Sequence, residues 1–170
     1  MANFKEDLNF VKAFVFDVDG VMTNASVILH PSGELLRTSN MRDGYALVQA
    51  VKHGYPVAII SGGKSESVRR RFEGLGINSV YLDSKDKKAD LMDFCKNNKV
   101  ELKDILYMGD DIPDYEVMTM VGLPTCPYDA VPEIRDVSRY ISNFKGGEGC
   151  VRDIIEQVLR LHGKWFNPNK

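Results

Sequence analysis

Apolar positions along the chain fall into short runs, and four of them end at polar or glycine-bearing turns. Ala13–Phe16, Val57–Ile60 and Ile105–Met108 each read as a buried strand, with a further strand over 79–82. After the first strand, two β-prone runs flank Pro31-Ser32-Gly33, which signals a hairpin. Between the strands the apolar spacing lengthens to that of helices. Asp43 is placed to cap a helix over 44–53, with Ala46, Leu47, Ala50 and Val51 on one face and Gly54 as its stop. Val68, Phe72 and Leu75 mark a second helix, closed by Gly74 and Gly76. A lysine-rich turn (Lys85, Lys87, Lys88) leads into a third that runs through Phe94. Then come a short helix, a Gly122-Leu123-Pro124 connection, a small helix near 131–137 and a last strand at Tyr140-Ile141-Ser142. Lys145-Gly146-Gly147-Glu148-Gly149 reads as a mobile loop. Val151, Ile154, Ile155, Val158 and Leu159 recur on one face of a final helix. Residues 1–11 read as a polar lead-in with one helical turn, and the Asn/Pro-rich tail from Trp165 to Lys170 as extended chain.

Strands alternating with helices predict an α/β fold, a mainly parallel sheet covered on both faces. No repeat or linker divides the chain, so 1–170 is expected to be one domain. With 44% hydrophobic and 27% charged residues it can bury a core. A net charge of −2 gives no general attraction to nucleic acid or an anionic membrane. Cys95, Cys126 and Cys150 lack zinc or disulfide spacing and are expected to be buried thiols. His30, His53 and His162 lack ligand spacing and are expected at the surface. No apolar run approaches membrane-spanning length and the N-terminus lacks a leader's apolar core, so a cytoplasmic protein is expected.

The polar turns carry the chemistry. The first strand ends in Asp17-Val18-Asp19-Gly20; residues two apart on a strand share a face, so both carboxylates can converge beyond its carboxyl end. The second ends in Ser61-Gly62-Gly63, the third in the lysine turn, the fourth in Gly109-Asp110-Asp111-Ile112-Pro113-Asp114. Phosphoryl transfer needs these parts. Asp17 is a carboxylate nucleophile able to form an aspartyl-phosphate, and Asp19 an acid and base. Ser61 and the N–H groups around Gly62 and Gly63 can hold phosphate oxygens, and Lys87 supplies positive charge. Asp110 and its neighbours offer hard oxygen ligands for Mg²⁺. Like charges about 4 Å apart repel by roughly 4 kcal/mol at an effective dielectric of about 20, which one lysine cannot offset for five acids and a divalent ion can.

These four motifs resemble those of the haloacid dehalogenase superfamily of phosphotransferases. The resemblance implies a Rossmann-like three-layer sandwich, Asp17 as nucleophile and Asp19 as acid/base. It also implies Mg²⁺ held by Asp17, Asp110 and the main-chain carbonyl of Asp19, with Asp111 and Asp114 behind them and Ser61 and Lys87 on the phosphate. Over nearly the whole length the chain is similar to the small capless members that hydrolyse 3-deoxy-D-manno-octulosonate 8-phosphate, a lipopolysaccharide precursor. Arg42-Asp43-Gly44-Tyr45, Val68-Arg69-Arg70-Arg71-Phe72 and Gly146-Gly147-Glu148-Gly149 extend the match. Ser61 stands where Thr is commoner, and Met22 where Leu or Trp is.

Only a hairpin and one helix fit between Asp17 and Ser61, which leaves no chain for a cap domain. In the resembling family, tetramer neighbours cover the site, so Val27, Ile28 and Leu35 of the hairpin are candidates for subunit contact. Arg69 and Arg71 are, by similarity, candidates to reach a neighbour's site and pair with a sugar acid's carboxylate. Gly63 lies where relatives acting on nine-carbon sugar acid 9-phosphates carry Glu, which favours the eight-carbon substrate over that alternative. A catalytically silent regulatory relative is the remaining alternative, and the retained Asp17, Asp19, Lys87 and Asp110 argue against it.

Overall fold

A computed structural model describes residues 3–168. A short helix α1 (Phe4–Asp7) and a 3-10 turn precede strand β1 (Ala13–Phe16). The hairpin β2 (Ile28–Leu29) and β3 (Leu35–Leu36) follows, then α2 (Met41–Lys52), β4 (Val57–Ile60), α3 (Glu66–Glu73) and β5 (Ser79–Tyr81). The chain continues through α4 (Lys87–Asn98), β6 (Ile105–Met108), α5 (Tyr115–Met120) and β7 (Leu123–Cys126). It closes with α6 (Pro132–Val137), β8 (Tyr140–Ile141) and α7 (Cys150–Leu161).

Six strands form one sheet in the order β5-β4-β1-β6-β7-β8, every pair parallel. The alternation of β1 shows why both faces are covered. Phe14 and Phe16 point to the face packed by α2, α3 and α7, and Ala13 and Val15 to the face packed by α4, α5 and α6. Because the chain adds β4 on one side of β1 and β6 on the other, the carboxyl end of β1 lies at the point where strand order reverses. Asp17 is the next residue. No cap covers it; the hairpin stands off the sheet as a separate two-stranded ribbon.

Several local expectations change. Asn40, not Asp43, caps α2, accepting from the N–H groups of Arg42 and Asp43. Helix α4 begins at Lys87 itself, capped by Asp86, so this lysine sits on a rigid turn of helix and not in a loop. The Gly122-Leu123-Pro124 connection is strand β7: Pro124 lacks an N–H, but its carbonyl accepts from Arg139 at 2.8 Å. The glycine loop over 145–149 is pinned. Gly147 donates to Val21 O, the Asn40 side chain donates to Gly147 O, and Asp129 accepts from Gly146 N–H. His162 is half-buried, with its ring nitrogens on the Tyr55 hydroxyl and Leu8 O. All three cysteines are buried and free. The tail to Pro168 has no regular structure, and its last two residues, Asn169 and Lys170, lie outside the described ones.

Asp43 instead joins α2 to α7. It is 2% exposed, its Oδ1 accepts from Arg152 N–H at 2.7 Å, and its Oδ2 has no partner. Burial pushes its carboxyl up from 3.8 to about 6. A raised carboxyl pKa makes the folded state the stronger proton binder, so this group lowers stability as pH climbs from the unfolded value through 6. Asp43→Asn keeps the acceptor and removes the titration. Denaturant unfolding at pH 5 and pH 7.5 is expected to show Asp43→Asn gaining about 1 kcal/mol on the wild type between the two. A gap independent of pH would contradict the assignment.

Candidate active site

Four strand ends meet in one open cleft of about 950 Å³ lined by Asp17, Asp19, Ser61, Lys87, Asp110 and Asp111, with Gly62 and Gly63 on its wall. The nucleophile candidate is held on both sides. Asp17 Oδ1 accepts from Val18 N–H at 2.6 Å and Oδ2 accepts from Lys87 Nζ at 2.8 Å. Lys87 also donates to Asp114 Oδ1 at 2.7 Å, so one ammonium bridges two buried carboxylates. Burial opposes its charge, yet Asp17 and Asp114 outweigh that and push the ammonium pKa up.

Asp114 is fully buried and its oxygens are spoken for. Oδ1 takes Lys87 and the Tyr107 hydroxyl, the latter at 2.7 Å, and Oδ2 takes Asp110 N–H at 3.2 Å. It therefore organises the cleft from behind. Gly109 makes this possible, since a Cβ there would lie 2.4 Å from Asp114 Cβ.

Carboxylate oxygens of Asp17, Asp110 and Asp114 lie within 4.8 Å of one another. Among the described residues no donor is recorded on the Asp110 carboxylate. Burial, then Asp114 and Asp111, push it up to about 7. Burial and Asp114 likewise raise Asp17, although Lys87 and Val18 N–H pull it down. Crowded carboxylates short of positive charge fit a divalent cation with oxygen ligands. Gly20 is needed beside them. Its φ is +84° and a Cβ would lie 1.8 Å from Asp110 Oδ2.

Ser61, 3% exposed, directs its Oγ to accept from Gly63 N–H at 3.2 Å. Asp19 is gripped from the hairpin: Arg37 Nε and Nη2 donate to its two oxygens at 2.6 and 3.0 Å. Asp111 stays exposed and caps the 3-10 turn Ile112–Asp114. Arg69 and Arg71 are not brought into the cleft by this chain. Arg69 donates to Val80 O, and Arg71 packs beside Gly44 and Met41. Arg37 and Tyr107 do not stand out in the sequence. A tyrosine inside an otherwise apolar strand is the one cue, because its buried hydroxyl needs a partner.

No protein-family model matches the chain. Similar proteins do. The 3-deoxy-D-manno-octulosonate 8-phosphate phosphatase KdsC of Escherichia coli K12 is 32% identical over 154 residues, 91% of this chain and 82% of that protein. The structure of the phosphatase of that name from Yersinia pestis superposes with a TM-score of 0.92 at 30% identity, over 95% of this chain and 87% of that one. The Moraxella catarrhalis phosphatase, in complex with magnesium ion, phosphate ion and a KDO molecule, gives 0.89 at 31% identity, over 94% and 92%. Identity of this extent over most of both lengths, on the same fold, shows that the chain belongs to the 3-deoxy-D-manno-octulosonate 8-phosphate phosphatase family of the haloacid dehalogenase superfamily.

Proposed function

We propose that the chain is a Mg²⁺-dependent phosphatase that hydrolyses 3-deoxy-D-manno-octulosonate 8-phosphate to the free sugar acid and phosphate, a step in supplying lipopolysaccharide precursor. The observation that carries this is the Asp17–Lys87–Asp114 bridge beside an Asp110 carboxylate with no donor among the described residues, all at the carboxyl end of the sheet. Asp17 Oδ2 attacks phosphorus while the bond to the sugar oxygen breaks, and Asp19 gives that oxygen its proton. Asp19 then takes a proton from the water that attacks the aspartyl-phosphate, and the phosphorus–Asp17 bond breaks to release phosphate. Lys87 and Ser61, with the N–H groups at Gly62 and Gly63, hold the phosphate oxygens. Asp17, Asp110 and the Asp19 carbonyl are the residues that would hold Mg²⁺, with Asp111 and Asp114 behind. Bound there, the ion supplies charge neutralisation for the phosphoryl oxygens.

Residues 1–170 act as one phosphatase domain in this reading, in the cytoplasm, which the three free buried cysteines fit. No helix among the described residues is long and apolar enough to cross a membrane. The partner is a small phosphorylated sugar acid, not nucleic acid or membrane. Homotetramer assembly is supported by the hairpin, where Val27, Ile28, Leu29, Leu35 and Leu36 are 37–77% exposed and leave apolar surface open to a neighbour.

Asp17→Asn is expected to lower kcat by about a thousandfold or more while the chain still folds, as judged by circular dichroism; substantial turnover would remove Asp17 as nucleophile. Chelation should silence the wild type and Mg²⁺ restore it, read by phosphate release from the sugar phosphate. In sedimentation the wild type should run as four subunits and the double variant Ile28→Asp, Leu29→Asp as smaller species. A monomeric wild type would end the tetramer reading.

A further inference from the structure

The cations in and around the cleft outnumber those the chemistry uses, and each is committed to a partner. Lys87 serves Asp17 and Asp114, Lys64 and Lys85 both sit on Asp83, and Lys88 pairs with Glu116. Arg37 is the planar one, and its partner is Asp19. Its Nη1 is fixed on Leu35 O at 2.8 Å, and Nε and Nη2 cover both oxygens of Asp19. Gly63 leaves the room for it. A Cβ built at Gly63 would have Arg37 Nη2 at 3.1 Å and both Asp19 Oδ2 and Ser61 Oγ at 3.4 Å. The guanidinium thus lies over the bare backbone of Gly63, beside the residue proposed to hold phosphate.

This placement creates a conflict within the cycle proposed above. Asp19 has to face the sugar oxygen, yet both of its oxygens are occupied by Arg37. A fork of this kind leaves one carboxylate most readily for another, because bidentate guanidinium pairing is specific for that planar group. A sugar acid brings such a group on the part of the molecule that departs.

We infer that Arg37 is a specificity-determining residue whose guanidinium moves from Asp19 to the carboxylate of the leaving sugar acid. Only a substrate bearing that group frees Asp19 in the correct place. The residue that follows the hairpin's second strand thereby reads the substrate. The inference rests on the phosphatase reading, and goes beyond it by assigning acid selectivity to one side chain.

The test pairs phosphorylated sugar acids with neutral sugar phosphates of matched chain length, measured on the intact wild type, Arg37→Gln and Arg37→Lys. Arg37→Gln leaves Asp19 unheld without any carboxylate to draw the guanidinium away, so it is expected to raise kcat for the neutral member towards that of the acid member. It should also raise KM for the acid member alone, by about 10- to 100-fold, the usual worth of hydrogen bonds to a charged group. Arg37→Lys should restore part of that KM. Equal KM changes for both members, or none, overturn the inference and leave the phosphatase reading standing. A wild type that prefers another sugar acid over octulosonate 8-phosphate overturns the substrate instead, while a collapse of acid preference in Arg37→Gln still upholds Arg37. A wild type with no acid preference removes both.

Discussion

One buried ammonium organises this protein's working end. Lys87 stands between Asp17 and Asp114, with side chains 9%, 11% and 0% exposed, and among the described residues neither acid pairs with another cation. Taking such charges out of water is costly unless geometry and further hydrogen bonds compensate. Here they do: Val18 N–H supports Asp17, and the Tyr107 hydroxyl and Asp110 N–H support Asp114. The same arrangement leaves Asp110 short of positive charge, which gives the cleft its demand for a divalent ion.

The fold supplies this geometry through close backbone packing as much as through side chains. Gly20 passes so near Asp110 that no larger residue fits, and Gly146 packs on Gly20 in turn, where a Cβ would lie 2.0 Å from the Gly20 carbonyl. The turn after β1 is therefore clamped between β6's acidic loop and the glycine loop before α7. A site that must place a nucleophile within a fraction of an ångström rests on rigid surroundings of this sort.

The parallel sheet and the four polar turns that line the cleft were legible because they depend on local signals: apolar runs, then polar residues that no core would bury. What escaped depended on contacts distant in sequence. Pro124 reads as a strand breaker, yet β7 tolerates it because its carbonyl side carries the pairing to Arg139. Five residues rich in glycine read as mobile, although partners at 21, 40 and 129 hold them. Asp43 reads as a cap at a helix start, and its true role lies across the α2–α7 seam. Arg37 is one arginine among several in the sequence, and only the hairpin's path brings it to Asp19.

In the proposed reading a divalent cation completes the acid cluster beyond the carboxyl ends of β1 and β6. Thermal unfolding of the wild type against Mg²⁺ concentration, at constant ionic strength, tests it without any substrate. If the ion relieves repulsion among Asp17, Asp110 and Asp114, the melting temperature should rise and, above the dissociation constant, keep climbing with the logarithm of the Mg²⁺ concentration, with about 2.7 kcal/mol gained at a hundred times the dissociation constant. Asp110→Asn should shift that curve to higher Mg²⁺. A melting temperature indifferent to Mg²⁺ in the wild type would contradict the account.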